Sequence, residues 1–331
     1  MHGTATGGRG IRKFRPTSGQ VPAAGEGYPA SMDARRYRLS AEARPLRVLT
    51  RTMVIAWVVL GLAFLGYCFL VTAPSQGTVG ADAYAYWSVQ LPHPYSLPVG
   101  DLGAFTYSPP MAMLFHLVDE VPWWVFLWLW LAIQLGTAVW LGGRRALLVL
   151  AFPPVAMELY YGNVNLLIAA AVLLGFAHPW TWAFVLLTKP TCGVGLLWFA
   201  ARGEWRRLAT ALAVTGIIVI GSFVIAPGLW AEWFAFLSDS AAGQPAGAWL
   251  AVPVWVRLPA AAALVVWGAR TDRRWTVAVS VALALPVIWF AGLAVLAAIV
   301  REPRPAGETP RPARQRTGGR LAAAGTAPKV A

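Results

Sequence analysis

Charge is what this sequence has least of. Asp, Glu, Lys and Arg make up 12% of its 331 residues, about half the ~25% of an ordinary soluble domain. Hydrophobic residues reach 58%, with 18 tryptophans. That balance excludes both a soluble globular enzyme and a disordered chain. Cysteine is scarce too. Cys68 and Cys192 stand in apolar stretches, without metal-ligand spacing or a disulfide pattern. The sequence has no Walker A loop, no Gly-x-Gly-x-x-Gly between strand and helix, no His-Glu-x-x-His and no Cys-x-x-Cys. No soluble stretch is long enough for a nucleotide-binding domain, so ATP, NAD and nucleotide sugars are not expected as substrates. Residues 52–143 hold no Lys or Arg at all.

The net charge of +13 sits elsewhere: ten Lys/Arg lie in residues 1–51 and seven in residues 301–331. Such segregation is that of a membrane protein with its cations held on the cytoplasmic side. Both tails read as basic, disordered segments beside anionic lipid rather than as a nucleic-acid surface, and no nucleic-acid partner is expected. The first apolar run starts near Met53, too late for a signal peptide.

A spanning helix needs about 20 apolar residues. Residues 53–72 supply one, running from inside to outside. Residues 73–121 then form an outer loop with Asp82, Asp101, Asp119 and Glu120 and no cation. Residues 122–141 return to Arg144 and Arg145, with Trp123 and Trp124 at the outer interface. Residues 146–160 and 163–177 are short for spans and meet at a polar break, Tyr160 to Asn163. Residues 180–201 contain Thr188-Lys189-Pro190-Thr191. If they crossed once, three loops would violate the positive-inside rule. If they enter, break at Lys189-Pro190 and return, all three comply. Broken backbone at membrane depth requires cover from protein or a water-filled cavity, so the charge rule points to a polar cavity around Lys189. Residues 208–226 and 249–269 complete a pair of crossings, with a loop over 228–247. A break at Pro286 within residues 275–300 would put the basic C-terminal tail inside. The expectation is an all-α polytopic membrane protein of about eight apolar segments, some short or broken. Its parts are a cytoplasmic tail (1–51), a membrane-embedded domain (52–300) and a C-terminal tail (301–331).

Ionisable groups in or beside membrane segments are functional candidates by default. Asp82 is one: a carboxylate just outside the first helix suits a general base, or caps a short helix over residues 83–90. Tyr84 and Tyr86 anchor an interface or stack on a sugar. His93 and Tyr107 lie in rigid Pro-containing turns of the same loop. Asn163 and Asn165 open an apolar helix. Two Asn two apart do not share a helix face, so one cap does not account for both. Lys189 is the only Lys between residues 14 and 328; it either snorkels to an interface or attracts phosphate in a cavity. Arg257 is a second cation in an apolar segment, placed to join a phosphate site, with Gln244 a weaker candidate in the loop before it. Asp82, Asp101 and Asp119 show no recognised metal-site spacing, and no tightly bound metal or other cofactor is expected.

In chain order these residues form Asp-x-Tyr-x-Tyr (Asp82, Tyr84, Tyr86), Tyr-x-Pro (Tyr107, Pro109), Gly-Asn-x-Asn (Gly162 to Asn165), Lys189-Pro190 with a basic run to Arg207, Arg257, and Pro-x-x-Trp (Pro286, Trp289). The series resembles glycosyltransferase family 87, the polyprenyl-phosphate-mannose-dependent mannosyltransferases of the GT-C superfamily, over roughly residues 53–300. The resemblance implies a GT-C-like bundle in the cell membrane. It implies transfer of a hexose, mannose in that family, from a lipid-linked donor to a lipid or glycan acceptor on the outer face, with inversion. Asp82 matches the base. Lys189 and Arg257 would hold the donor phosphate, and Asn163 and Asn165 would line the sugar or phosphate site. Without the resemblance, the same Lys189 cavity also suits a transporter or a lipid-binding protein of the cell envelope, or the chain is a structural partner of an envelope enzyme.

Overall fold

A computed structural model describes residues 30–240, 248, 250 and 252–301, with side chains from residue 49 to 239 and at 248, 250 and 252–301. All regular structure among them is helical; one isolated bridge joins Leu250 and Ile288. The chain divides into two units after Val54.

Helix α1, Ala30–Tyr67, is longer than the first apolar run. The tail expected over residues 1–51 is therefore helical from Ala30 onward. The cause is composition: residues 30–51 hold six Arg, four Ala and three Leu and contain no Gly, and these three residue types are strong helix formers. Residues 1–29 and 302–331 lie outside the described residues. A π-helical stretch, Cys68–Thr72, carries the axis into α2, Ala73–Gln76. The apolar part, Leu49–Gln76, is long enough to span a bilayer, and its large side chains point outward, Met53, Leu60 and Leu70 among them.

Two short helices follow in the 73–121 segment, α3 (Ala81–Trp87) and α4 (Pro109–His116). The second long apolar helix is α5, Trp123–Gly142. A 3-10 turn over Gly143–Arg145 leads to α6, Ala146–Leu150. Pro153 and Pro154 start α7, Pro153–Tyr161, because the residue before a proline leaves the α region. Helix α7 ends at Gly162 with φ 73°, the left-handed C-terminal position that glycine fills without strain. A Cβ there would also lie 2.9 Å from the Ala83 Cβ, so α3 rests on the bend. Helix α8, Asn165–Gly175, departs at 115°.

After α8 the chain folds back twice. A 3-10 turn, Pro179–Thr181, starts the first return; α9 (Trp182–Thr188) stops at Lys189, and the 3-10 helix Pro190–Leu196 and α10 (Leu197–Ala201) lead back. Thr181 Oγ1 donates to Ala171 O at 2.8 Å, near the C-terminal end of α8. Phe176, at that same end, packs its ring on Trp198 at 5.4 Å and near Phe199. Lys189 meanwhile reaches the N-terminal end of α8. Residues 180–201 thus break at Lys189 and fold back along α8.

Helix α11, Trp205–Ile225, is a third full-length apolar helix. The loop expected over 228–247 begins instead as α12, Pro227–Ser240. Pro227 suits a first helical position, and Leu229, Trp230 and Trp233 bury one face. Gln244 lies outside the described residues. Helix α13 is Val254–Arg270, α14 is Trp275–Leu283, and a 3-10 helix occupies Phe290–Arg301. The break around Pro286 separates the last two. Arg274 before α14 lies over the Phe176 ring at 5.2 Å, and Arg301 at the end lies over the Trp140 ring at 4.3 Å. Both ends of this second return thus sit beside the C-terminal ends of α5 and α8. Its tip meets the first: Thr191 Oγ1 donates to Ala284 O at 2.5 Å and Cys192 Sγ lies 3.6 Å from Val281 O.

Candidate active site

Two polar residues of α5, one turn apart, hold the α7–α8 bend. Trp130 Nε1 donates to Gly162 O at 2.6 Å, and Gln134 Nε2 donates to Asn163 O. Backbone carbonyls released by a bend need such partners when water is excluded.

Glu158 crosses the bend from α7. Its Oε1 accepts the backbone N–H groups of Asn165 at 2.5 Å and Leu166 at 3.3 Å. A carboxylate at a helix N-terminus satisfies orphan donors and faces the positive end of the helix dipole. Its Oε2 accepts from Asn165 Nδ2 at 2.9 Å. That bond fixes the amide, because an ionised carboxylate only accepts. Asn165 Oδ1 is thereby turned to Lys189 Nζ, 2.6 Å away.

Lys189 also donates to Asn163 Oδ1 at 3.4 Å. That oxygen further receives Val164 N–H at 2.8 Å, Asn165 Nδ2 at 3.1 Å and the Tyr107 hydroxyl at 3.5 Å. Asn163 Nδ2 points the other way and donates to Asp82 Oδ2 at 2.8 Å. The two carboxylates and the ammonium are therefore joined through two amides. Asp82 Oδ1 has no hydrogen-bond partner among the described residues. Gly80, at φ 74°, is the N-cap of α3, so Asp82 sits within the first turn and is not its cap.

Burial pushes the Asp82 carboxyl above its ordinary pKa, while the Asn163 hydrogen bond and the Lys189 charge oppose the shift. Tyr86 and Tyr107 close one side, their hydroxyls 2.8 Å apart. Tyr86 stacks on Phe115 and packs edge-on to Trp130. Burial holds both phenols well above their ordinary pKa. Glu158 and Asn165 are buried, whereas Asp82, Asn163 and Lys189 are half-buried. The accessible edge of the cluster thus holds one carboxylate, one amide and one ammonium.

Asp82, Tyr86, Tyr107, Asn163, Asn165 and Lys189 come together. Tyr84, His93 and Arg257 do not join their hydrogen-bond network. Tyr84 packs on Trp87 and Trp123. His93 Nδ1 pairs with Glu232 Oε1 at 2.7 Å on an exposed surface, tying its loop to α12. Arg257 is 5% exposed, and its guanidinium donates to the carbonyls of Val252, Leu283 and Pro286. These bonds serve the break after α14, which frees carbonyls that lipid cannot satisfy. Sequence reasoning missed Glu158. The signal was there: it is the only acid between Glu120 and Glu204, inside an apolar run. Among the described residues, no three His, Cys, Asp or Glu side chains converge as a metal site.

The model of glycosyltransferase family 87 matches residues 105–309, more than half of the chain. The chain belongs to glycosyltransferase family 87. It is a membrane glycosyltransferase, acting between a sugar donor and an acceptor. The match to family 87 covers Tyr107, Glu158, Asn163, Asn165, Lys189 and Arg257 and begins after Asp82, Tyr84, Tyr86 and His93. No curated protein and no solved structure matches this family-87 chain.

Proposed function

We propose that this protein moves a hexose, mannose in the leading reading, from a polyprenyl-phosphate donor to a hydroxyl of a lipid or glycan acceptor. The chemistry takes place at the outer face of the cell membrane, the N-terminus being cytoplasmic. The observation that carries the reading is the half-buried edge of the cluster. It presents a carboxylate oxygen with no hydrogen-bond partner among the described residues beside an ammonium, the two bridged by a single amide.

Asp82 Oδ1 takes the proton of the acceptor hydroxyl. The acceptor oxygen forms its bond to the anomeric carbon as the bond from that carbon to the phosphate oxygen breaks. The phosphate leaves with the electron pair, and single displacement inverts the anomeric centre. Lys189 offsets the charge that grows on the leaving phosphate. An ammonium has three donors and the amides engage two, one of them weakly at 3.4 Å. The remaining proton is the one for the phosphate. Asn163 orients the base, and Tyr86 and Tyr107 shape the sugar side.

The test uses purified protein in nanodiscs, radiolabelled polyprenyl-phosphate mannose and a lipid extract of the native membrane. Wild type should move label to a new lipid or glycan. Asp82→Asn should lose that transfer by ~10²–10⁴-fold at an unchanged protein level. Full activity in the variant removes Asp82 as base. Lys189-dependent donor binding without transfer by wild type would replace this reading with a transporter or lipid-binding role.

A further inference from the structure

Away from the cluster, a groove of about 380 Å³ runs between α5 and α8, lined by Ile133, Gly136, Thr137, Trp140, Ala170 and Leu174. Its lining is mostly apolar, and the Thr137 hydroxyl is turned to its own helix, donating to Ile133 O at 2.7 Å. Trp140 and Leu174 also line a second cavity of about 290 Å³, which adds His178, Arg274 and Arg301. An apolar groove thus opens into a basic mouth.

The two arginines differ from others at this end of the molecule. Arg202 and Arg207 are paired with Glu204, and Arg202 also with Asp272. Arg274 and Arg301 make no ion pair among the described residues. Each guanidinium instead lies over an aromatic ring, Arg274 over Phe176 and Arg301 over Trp140; Arg301 Nη1 also donates to Trp140 O, and its Nη2 and the Arg274 guanidinium have no hydrogen-bond partner among the described residues. A planar guanidinium edge matches phosphate oxygens in bidentate fashion. From Ile133 to Trp140 the groove follows α5 for ~10 Å, parallel to an acyl chain standing in the same leaflet.

We infer that this groove binds one anionic phospholipid, its phosphodiester between Arg274 and Arg301 and one acyl chain laid between α5 and α8. The site lies at the C-terminal end of α8, whereas the Lys189 cluster lies at the N-terminal end, so it is separate from the donor site and does not depend on the proposed chemistry. Arg274 and Arg301 begin and end the second fold-back. A phosphate shared by both closes that return and fastens it to α5 and α8.

The test is native mass spectrometry of the delipidated full chain, with thermal unfolding in nanodiscs as a second readout. Wild type should retain one phosphatidylglycerol, bind it at least tenfold more tightly than phosphatidylcholine, and melt higher in its presence. Inorganic phosphate alone should not raise the melting temperature, since the chain supplies part of the binding. Arg274→Gln with Arg301→Gln should lose the preference for phosphatidylglycerol. Gly136→Leu probes the groove without touching a charge: a Cβ at Gly136 meets nothing within 4 Å, so the side chain fills the groove and should expel the lipid. Arg206→Gln, on the exposed start of α11, should leave retention unchanged. Equal retention of the two lipids by wild type overturns the proposal. So does undiminished phosphatidylglycerol binding by Gly136→Leu, or a loss in Arg206→Gln as large as that of the double variant.

Discussion

Lys189 and Arg257 are both cations inside apolar segments, each beside a break in a folded-back helix, yet they do opposite things. Lys189 donates to two side-chain amides and remains half-buried. Arg257 is buried and donates to three backbone carbonyls. A side-chain amide can turn toward a substrate and back. A carbonyl at a broken helix has nowhere to turn and must keep its donor. Charge in a membrane segment therefore does not by itself mark chemistry. The partners decide: side chains linked to an accessible edge mark a site, and orphaned carbonyls mark a joint.

Exchanging each cation for Met separates the two most widely. Lys189→Met should reduce transfer by ~10²–10³-fold, the size of losing one preorganised donor at a developing oxyanion, with the protein still folded. Arg257→Met should act on stability. It leaves three carbonyls unsatisfied at ~1–3 kcal/mol each, so membrane level and melting temperature should fall sharply. Thermal unfolding beside the transfer assay reads both. Equal loss of stability in the two variants would erase the distinction.

Glu158→Gln sharpens the Lys189 side. The amide oxygen of Gln can still accept from the Asn165 and Leu166 N–H groups. Its nitrogen would then face Asn165 Nδ2, donor against donor. Asn165 must flip, and Lys189 loses its 2.6 Å acceptor. Glu158 is thus a positioning residue. The expected result is a rise of ~10-fold or more in KM for the donor, about the 1.4 kcal/mol of one charge-assisted bond, with a smaller effect on kcat. A fall in kcat alone, with unchanged KM, would place Glu158 elsewhere in the mechanism.

Much of this was readable from the residues, and what was not has a common cause. The return at Lys189-Pro190 followed from where the arginines must lie, and the Arg274 and Arg301 contacts show the same for Pro286. Asn163, Asn165 and Lys189 stood out because lipid does not tolerate lone polar groups. Glu158 was readable as a buried acid, but its partnership with Asn165 was not. The two are seven residues apart across a 115° bend, where helical periodicity carries no information. The role of Arg257 was equally hidden, since it depends on carbonyls 26 and 29 residues away. Helix α12 was missed because its Gly-, Ala- and acid-containing run resembles a loop until Trp230 and Trp233 find a surface to bury against.

The smallest expected effects concern the base itself. Protonated Asp82 cannot accept the acceptor's proton, so kcat/KM should fall as pH drops through its raised pKa. The Asn163 bond stabilises the charged form, so Asn163→Ala should raise that pKa further and move the acid limb to higher pH. Arg257→Lys, remote from Asp82, should leave the limb in place wherever enough protein folds to assay. Tyr107→Phe removes only a 3.5 Å contact to Asn163 and one of the paired phenols. The Asn163 oxygen keeps three other donors, so the amide should hold its orientation. The Tyr86 hydroxyl is then left buried without its partner at a cost of ~1–3 kcal/mol. Tyr107→Phe should therefore lower the melting temperature by a few degrees and change kcat/KM only a few-fold, with the acid limb unmoved. A shift of that limb as large as in Asn163→Ala would mean that Tyr107, and not the buried carboxylate behind Asn165, sets the amide that holds the base.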